Sequence, residues 1–413
     1  MNSKFLPFTC LTLCLAAAAP AAEKLEYAVE IDPRGFAREH IPMTADLPLP
    51  ASHRGIDRLT CNIIGPDGAR HDWRTQVERV ETGDDVLARV HWIQPELKKG
   101  ERRTYRFIIS AAGDSGNETA FRFEDGDGYR ELHFGEQPVY RHVHGYSAER
   151  HEATFKSFHH LHHFGGEGFI TKGPGGLYSH HRGIFLGWNQ VRVLEQEWDF
   201  WQSPNGETQR HRAYAPEREQ TGPVFGRAAS HTDWKDPDGN VIVSDLREIT
   251  AWWIDENTRI VDVTLELNAV AGPVHLGGDA HHAGFQFRAA QVVADNQETS
   301  AYARPESAEA RPDEIWAESP WIGGLFTVKG HRYSILLGDH PQNPRPTYFS
   351  TRKYGRFGAF FTADLEPDEP LVLRYRILVK RAGRTEDTSR EFFARMHRDF
   401  VEPATATVNN SKP

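Results

Sequence analysis

Between residues 172 and 188 the sequence gathers Lys172, the adjacent histidines His180 and His181, and Arg182 among five glycines, then runs apolar to Trp188. Glycine lets a backbone take positive φ or approach another group closely. Imidazoles can move protons near neutral pH, and lysine and arginine can hold an anion or a developing oxyanion. A second tandem pair, His281 and His282, follows Gly277 and Gly278 and leads into an apolar run that ends at Arg288. Successive strand residues point to opposite faces. On a regular strand only one member of each pair can therefore face a common cleft, while the other braces the strand. His180, His181, His281 and His282 are the first candidates for acid–base catalysis, with Lys172, Arg182 and Arg288 as substrate ligands.

Further groups could join them. Asp339, His340, Asn343 and Arg345 lie among Pro341, Pro344 and Pro346, which fix the backbone, and Tyr354 follows shortly after. His340 is a catalytic candidate here and the others are substrate contacts, although an ordered structural loop would have the same composition. Trp198, Asp199 and Trp201, with His211 downstream, suit a sugar, whose ring stacks on an apolar face while acids bond its hydroxyls. Core packing would explain the tryptophans equally well. Glu248 is a candidate general base if it points inward, and its neighbours Leu246, Thr250 and Trp252 leave its face open. His142 with His144, and His160 with His162, have the His-x-His spacing that offers two nitrogens from one strand face to a metal. Hydrogen-bonded histidines are the alternative; no cofactor is firmly expected, and a divalent metal stays open. The sequence has no Gly-x-Ser-x-Gly elbow and no dinucleotide or phosphate-loop fingerprint.

The elements that must position these groups read as strands. Residues 22–118 alternate apolar and polar in short runs separated by turn signals, as expected for a small antiparallel sandwich. The polar stretch 112–118 reads as a linker. Residues 119–402 hold eight of the ten tryptophans and read as a large antiparallel β-sandwich, with a hairpin over 241–267 turning at 255–257. A single helix is expected near the C-terminus, capped by a box over Thr388–Glu391 and carrying Phe392, Phe393, Met396 and Phe400 on its apolar stripe. Residues 403–413 read as a disordered tail. The fold class is therefore mostly β: a small sandwich, a large one and one C-terminal helix.

Residues 1–21 read as a secretory signal, with Lys4, an apolar stretch from Phe5 to Leu15, and small residues at 19–21. That stretch is too short to span a bilayer, which takes about 20 residues. Export to the periplasm or medium is expected, and Cys61 is then the lone cysteine of the mature chain. A net charge of −10 disfavours nucleic acid and anionic membranes as partners, and together with 22 histidines favours a small-molecule or glycan ligand.

The segment from Thr171 to Phe185, the segment from Trp198 to Trp201, and Asp339 to Arg345 with Tyr354 together resemble a family of secreted bacterial proteins of unknown function. That family sometimes carries a methane-oxygenase-like (PmoA-like) label. The resemblance spans about residues 129–381. The label fits poorly, because a membrane oxygenase subunit is built of spanning helices and no later segment of this sequence approaches that length. What the resemblance implies is an exported protein associated with sugar-oxidising and glycan-degrading systems. The β core is also similar to galactose-mutarotase-like sandwiches, which house mutarotases, glycosidases and polysaccharide lyases. The expected function is a carbohydrate-active enzyme, a hydrolase, a lyase or a catalyst of proton transfer on a sugar, with an oligosaccharide or polysaccharide as its partner. A non-catalytic glycan-binding protein and a histidine-ligated metal enzyme are the alternatives.

Overall fold

The computed structural model describes residues 24–56, 58–111, 119–166 and 168–409. The expected signal segment and the 112–118 linker lie outside these residues. The chain is mostly β, as the alternation predicts.

At the N-terminal end, strands Leu25–Asp32, Leu59–Ile64, Arg70–His71 and Arg103–Ala111 form one sheet, and Arg38–Pro48, Thr75–Thr82 and Asp85–Leu97 form another. Their inward residues, among them Val29, Ile31, Leu47, Val90, Trp92 and Phe107, make a core of their own. Cys61 is buried in it, and burial pushes its thiol up to about 12, so it is no nucleophile near neutral pH. The first sheet has a fifth strand. Residues Thr405–Asn409, expected as part of a disordered tail, pair antiparallel with Leu25–Asp32, Asp32 opposite Thr405 and Ala28 opposite Asn409. Ala406 and Val408 alternate inward onto the small core, so this segment has an apolar face to bury.

The larger part is built on two long antiparallel sheets. One runs edge to edge through Glu309–Arg311, Ile315–Ala317, Tyr348–Arg352, Arg356–Phe360, Ala283–Arg288, Ile184–Trp188, Phe158–Leu161, Gln137–Val143, Tyr129–Phe134 and Phe121–Gly126. The other has nine strands and is centred on the predicted hairpin, found as Val241–Asp255 paired with Thr258–Ala269. Asp255 Oδ1 accepts the Asn257 N–H at 2.7 Å and shapes the turn. Leu186, Trp188, Phe285, Phe287 and Phe357 of the first sheet meet Ile249, Trp253, Val263 and Tyr375 of the second in one core. Helix Arg390–Val401 packs on the outer side of the second sheet, with Phe393 6.0 Å from Trp321. Its cap is Ser389, whose Oγ accepts the Phe392 N–H at 3.1 Å. Thr388, the first residue of the expected box, instead closes the preceding turn onto Thr385. Among the described residues no helix is long and apolar enough to cross a membrane.

Several histidines are held in this framework without charge. His159 and His160 are buried and held down at about 3, by burial first and then by cationic neighbours. In the unfolded chain they titrate near 6.5, so between those values the unfolded state binds more protons and stability falls as pH drops. The urea midpoint is expected to hold from pH 8 to 7 and to fall by pH 5, by about 2 kcal/mol for each such histidine. A midpoint unchanged between pH 7 and 5 would contradict this burial.

Candidate active site on the outer face of the ten-stranded sheet

Because side chains alternate, the strands that send Phe285, Phe287, Leu186 and Phe357 into the core turn Gln286, Arg288, Phe185 and Arg356 to the opposite face. Three loops cover that face and carry most of the expected chemistry. The first is the glycine-rich segment. Lys172 anchors it, with its N–H donating to the Arg288 carbonyl at 3.0 Å and Nζ to the carbonyls of Gly173 and Tyr178 at 3.0 and 3.2 Å. Lys172 thus folds the loop rather than reaching outward, and burial lowers its ammonium to about 7. Arg182 also braces the loop from below, donating to the Glu152 carbonyl at 2.6 Å and lying over the Phe155 ring. Tyr178, at φ 54°, projects outward and is 47 % exposed.

The second loop buries Trp201 against this face: its ring is 0 % exposed and packs with Phe158 and Phe185, so it is core rather than the sugar-stacking surface its composition suggested. Asp199 Oδ1 accepts the backbone N–H groups of Trp201 and Gln202 at 2.7 and 2.8 Å, so this carboxylate shapes a turn. Lys156, which stands in no motif of the sequence, is buried beneath and donates to the Phe200 and Trp201 carbonyls at 3.1 and 2.8 Å. Gly187 makes the approach feasible, since a Cβ there would lie 2.6 Å from the Phe200 carbonyl oxygen. Trp201 then sits 5.6 Å from His181, 4.9 Å from Phe185 and 6.3 Å from His282, ring to ring.

The third loop holds the second histidine pair, and it separates their roles. Asp279 Oδ1 accepts the His281 N–H at 2.8 Å and closes the turn. The same carboxylate receives a hydrogen bond from His282 Nδ1 at 3.0 Å. A carboxylate can only accept, so His282 carries a proton on Nδ1, and in its neutral form Nε2 is the lone-pair nitrogen. The bond from His282 holds the Asp279 carboxyl down at about 2. Asp279 was not among the expected site residues; its signal was a carboxylate three residues before a histidine across a glycine-led turn. His281 is placed differently. Arg352 Nη2 lies 3.0 Å from its Nε2 and Arg356 Nη2 lies 3.3 Å from its Nδ1. A neutral imidazole can accept at only one nitrogen, and burial with these two guanidiniums holds His281 down at about 4. It is unsuited to taking a proton.

His180 and His181 face this group from the glycine-rich loop, their rings 4.4 Å apart. His181 lies 5.3 Å from Tyr178 and 6.0 Å from Tyr354, and His180 is half-buried. Burial first, then nearby cations, hold His180 down at about 3 and keep His181 well below the usual imidazole range, so both are neutral at ordinary pH. Tyr354 completes the wall, its hydroxyl 3.4 Å from Arg356 Nε and its ring under Arg288. Arg356, which the sequence reading had not selected, donates to Gln286 Oε1 at 2.9 Å and Ser350 Oγ at 2.8 Å.

The remaining expected residues lie elsewhere. Glu248 is on the outer face of the nine-stranded sheet, 3.6 Å from Arg218, because its strand turns Ile249 and Ala251 to the core. Asp339, Asn343 and Arg345 satisfy one another: Asp339 accepts from Asn343 Nδ2 at 2.6 Å and from Arg345 Nη1 at 2.5 Å, and Arg345 Nη1 also donates to Thr347 Oγ1. His340 packs on Phe400 of the C-terminal helix. This segment is a self-bonded structural loop. Trp198 packs against the main core, and His211 joins His142, His144 and Tyr214 at one end of the sandwich, bonded to Ser230. The His-x-His pairs have separate partners: His160 meets Thr171 at 2.9 Å and His162 meets Glu131 at 2.6 Å. Among the described residues no three His, Cys, Asp or Glu side chains are arranged to hold a metal ion. A cleft of about 710 Å³ lies on the small sandwich beside Tyr27 and Tyr105, but it is lined by no histidine and its Glu26 and Arg106 pair with each other.

With this geometry in view, the chain belongs to a family of unknown function (DUF6807), whose model matches residues 130–394. The match includes all three loops of the site and leaves the small sandwich outside. No curated protein matches the chain. A crystal structure of a protein in the glycosyl hydrolase family 38 from Enterococcus faecalis is similar at 10 % identity and a TM-score of 0.42, covering 94 % of this chain and 48 % of that one. The chain thus spans about half of that protein's length, and a likeness this weak transfers no activity.

Proposed function

We propose that this protein is a carbohydrate-active enzyme in which His282, oriented by Asp279, moves a proton during glycosidic bond cleavage or rearrangement of a sugar. One observation carries the reading: the His282 and Asp279 pair lies beside Trp201, on a face that also presents Tyr178 and Tyr354. A histidine fixed through Nδ1 by a carboxylate offers Nε2 as base and then, protonated, as acid; the carboxylate stabilises the imidazolium. Exposed Tyr178 and half-buried Tyr354 can stack on the apolar side of a sugar ring, while fully buried Trp201 backs the site from beneath. The neutral His180 and His181 can accept hydrogen bonds from, or donate them to, substrate hydroxyls without adding charge. The signal-like pattern of residues 1–21 supports a reaction outside the cytoplasm.

A glycan-binding protein without catalysis is the second reading, and exposed Tyr178 is the observation that favours it. Rate and affinity measured on the same oligosaccharide separate the two. Tyr178→Ala is expected to raise KM several-fold with kcat nearly unchanged, and Glu248→Gln to change neither. Saturable binding with no product from any oligosaccharide tried would favour the second reading. A Glu248→Gln enzyme without turnover would place the chemistry on the wrong sheet.

A further inference from the structure

Arg288 and Arg356 stand opposite each other in register on neighbouring strands, and they are 0 % and 1 % exposed. Two guanidiniums this close and this dry repel each other and have lost their water. Elsewhere in the molecule such cations are neutralised: buried Arg38 meets Asp399 at 2.6 Å, and Arg247 meets Asp245 at 2.7 Å. Arg288 has only carbonyl oxygens as partners, those of Ala289 and Tyr354, and its Nε and Nη2 are buried without a partner. Arg356 has only neutral ones, in Gln286, Ser350, Tyr354 and His281. Arg182 and Arg259 also lack a carboxylate and pack on aromatic rings, as Arg288 does on Tyr354. What distinguishes Arg288 and Arg356 is that two such guanidiniums lie in register on neighbouring strands, and they share Tyr354 with the face that holds His181.

We infer that Arg288 and Arg356, with Tyr354 between them, form a subsite for a carboxylate carried by the substrate, which makes the substrate class an acidic sugar. The inference rests on the sugar reading given above. The unpartnered Nε and Nη2 of Arg288 form the fork that matches the two oxygens of a carboxylate, and an anion there also offsets the charge of neighbouring Arg356, whose own donors are already engaged. The carboxylate identifies the ligand more narrowly than the aromatic residues do, since those accept neutral and acidic sugars alike.

Calorimetric titration of the full protein tests this with short oligomers of glucuronate, galacturonate and mannuronate, the carboxyl-reduced form of each, and succinate as a carboxylate without a sugar ring. At least one acidic oligomer should bind roughly 10- to 100-fold more tightly than its reduced form. The gap should shrink in Arg288→Gln and Arg356→Gln proteins, whose unfolding midpoints report whether they are folded. The comparison of acid with reduced sugar on the unaltered protein needs no variant. Equal binding of acid and reduced form in every pair overturns the carboxylate subsite and leaves the sugar reading standing. Succinate binding as tightly as any uronate overturns the sugar reading instead. Binding of no probe at all overturns both.

Discussion

Replacing His282 with alanine should lower turnover by about 10²- to 10⁴-fold, the range general acid–base catalysis contributes, with little change in affinity for substrate. The size follows from the proton inventory of the site. His281 is clamped between Arg352 and Arg356 at both ring nitrogens. His180 is held at about 3 and His181 well below the usual imidazole range, by burial and surrounding cations, so protonating either at neutral pH is costly. His282 alone among the four has a carboxylate on one nitrogen and a lone pair on the other. Asp279→Asn should reproduce much of the loss, because an amide can donate to Nδ1 and so permit the wrong tautomer. Asp279 also holds the turn through the His281 N–H, so the variant needs its unfolding midpoint measured beside its rate. If His282→Ala retains full activity while His181→Ala loses it, the roles of the two loops are reversed.

The second large effect concerns stability. Asp399→Ala should destabilise the protein by about 3–5 kcal/mol, the usual consequence of removing one partner of a buried ion pair. Arg38, on an N-terminal strand, donates from Nη1 to Asp399 Oδ1 at 2.6 Å, from Nη2 to the Glu402 carbonyl at 2.5 Å and from Nε to the Pro33 carbonyl at 2.9 Å. Without the carboxylate an uncompensated guanidinium would stay under the C-terminal helix. Asp399→Asn should fall between the two, because it keeps the hydrogen-bond acceptor and loses the charge. Urea unfolding followed by tryptophan fluorescence measures both, and a change under 1 kcal/mol for Asp399→Ala would mean that this pair is open to water.

The parts of this molecule that could be read from sequence are those set by local pattern. Period-two alternation sufficed for the Val241–Asp255 and Thr258–Ala269 hairpin, and the phenylalanine stripe for the helix, although its cap is Ser389 rather than the expected Thr388. The strand Thr405–Asn409 could not be read this way. It is only five residues long, its apolar face is just Ala406 and Val408, and its partner Leu25–Asp32 is at the other end of the chain. Glu248 was undecidable for a different reason. Both faces of its strand are covered, with Trp253 in the main core and Trp252 packed on Phe225, so alternation did not say which face was the site. The prolines after Asp339 did predict rigidity, but the polar groups there bond to one another, and composition does not distinguish self-bonded loops from ligand-bonded ones. The tandem histidines were legible as a pair with divided roles. Which member acts depended on Asp279, Arg352 and Arg356, and only the fold brings the two arginines there.

The most direct test of the central claim is a proton NMR time course of an acidic oligosaccharide with the unaltered protein and with His282→Ala, both in D₂O. Proton transfer by His282 predicts that the unaltered protein changes the sugar, with a cleaved linkage or deuterium replacing a ring proton, and that His282→Ala binds the same sugar and leaves its spectrum unchanged. Equal rates of change with both proteins, or saturable binding by the unaltered protein with no change to any oligosaccharide it binds, would contradict it.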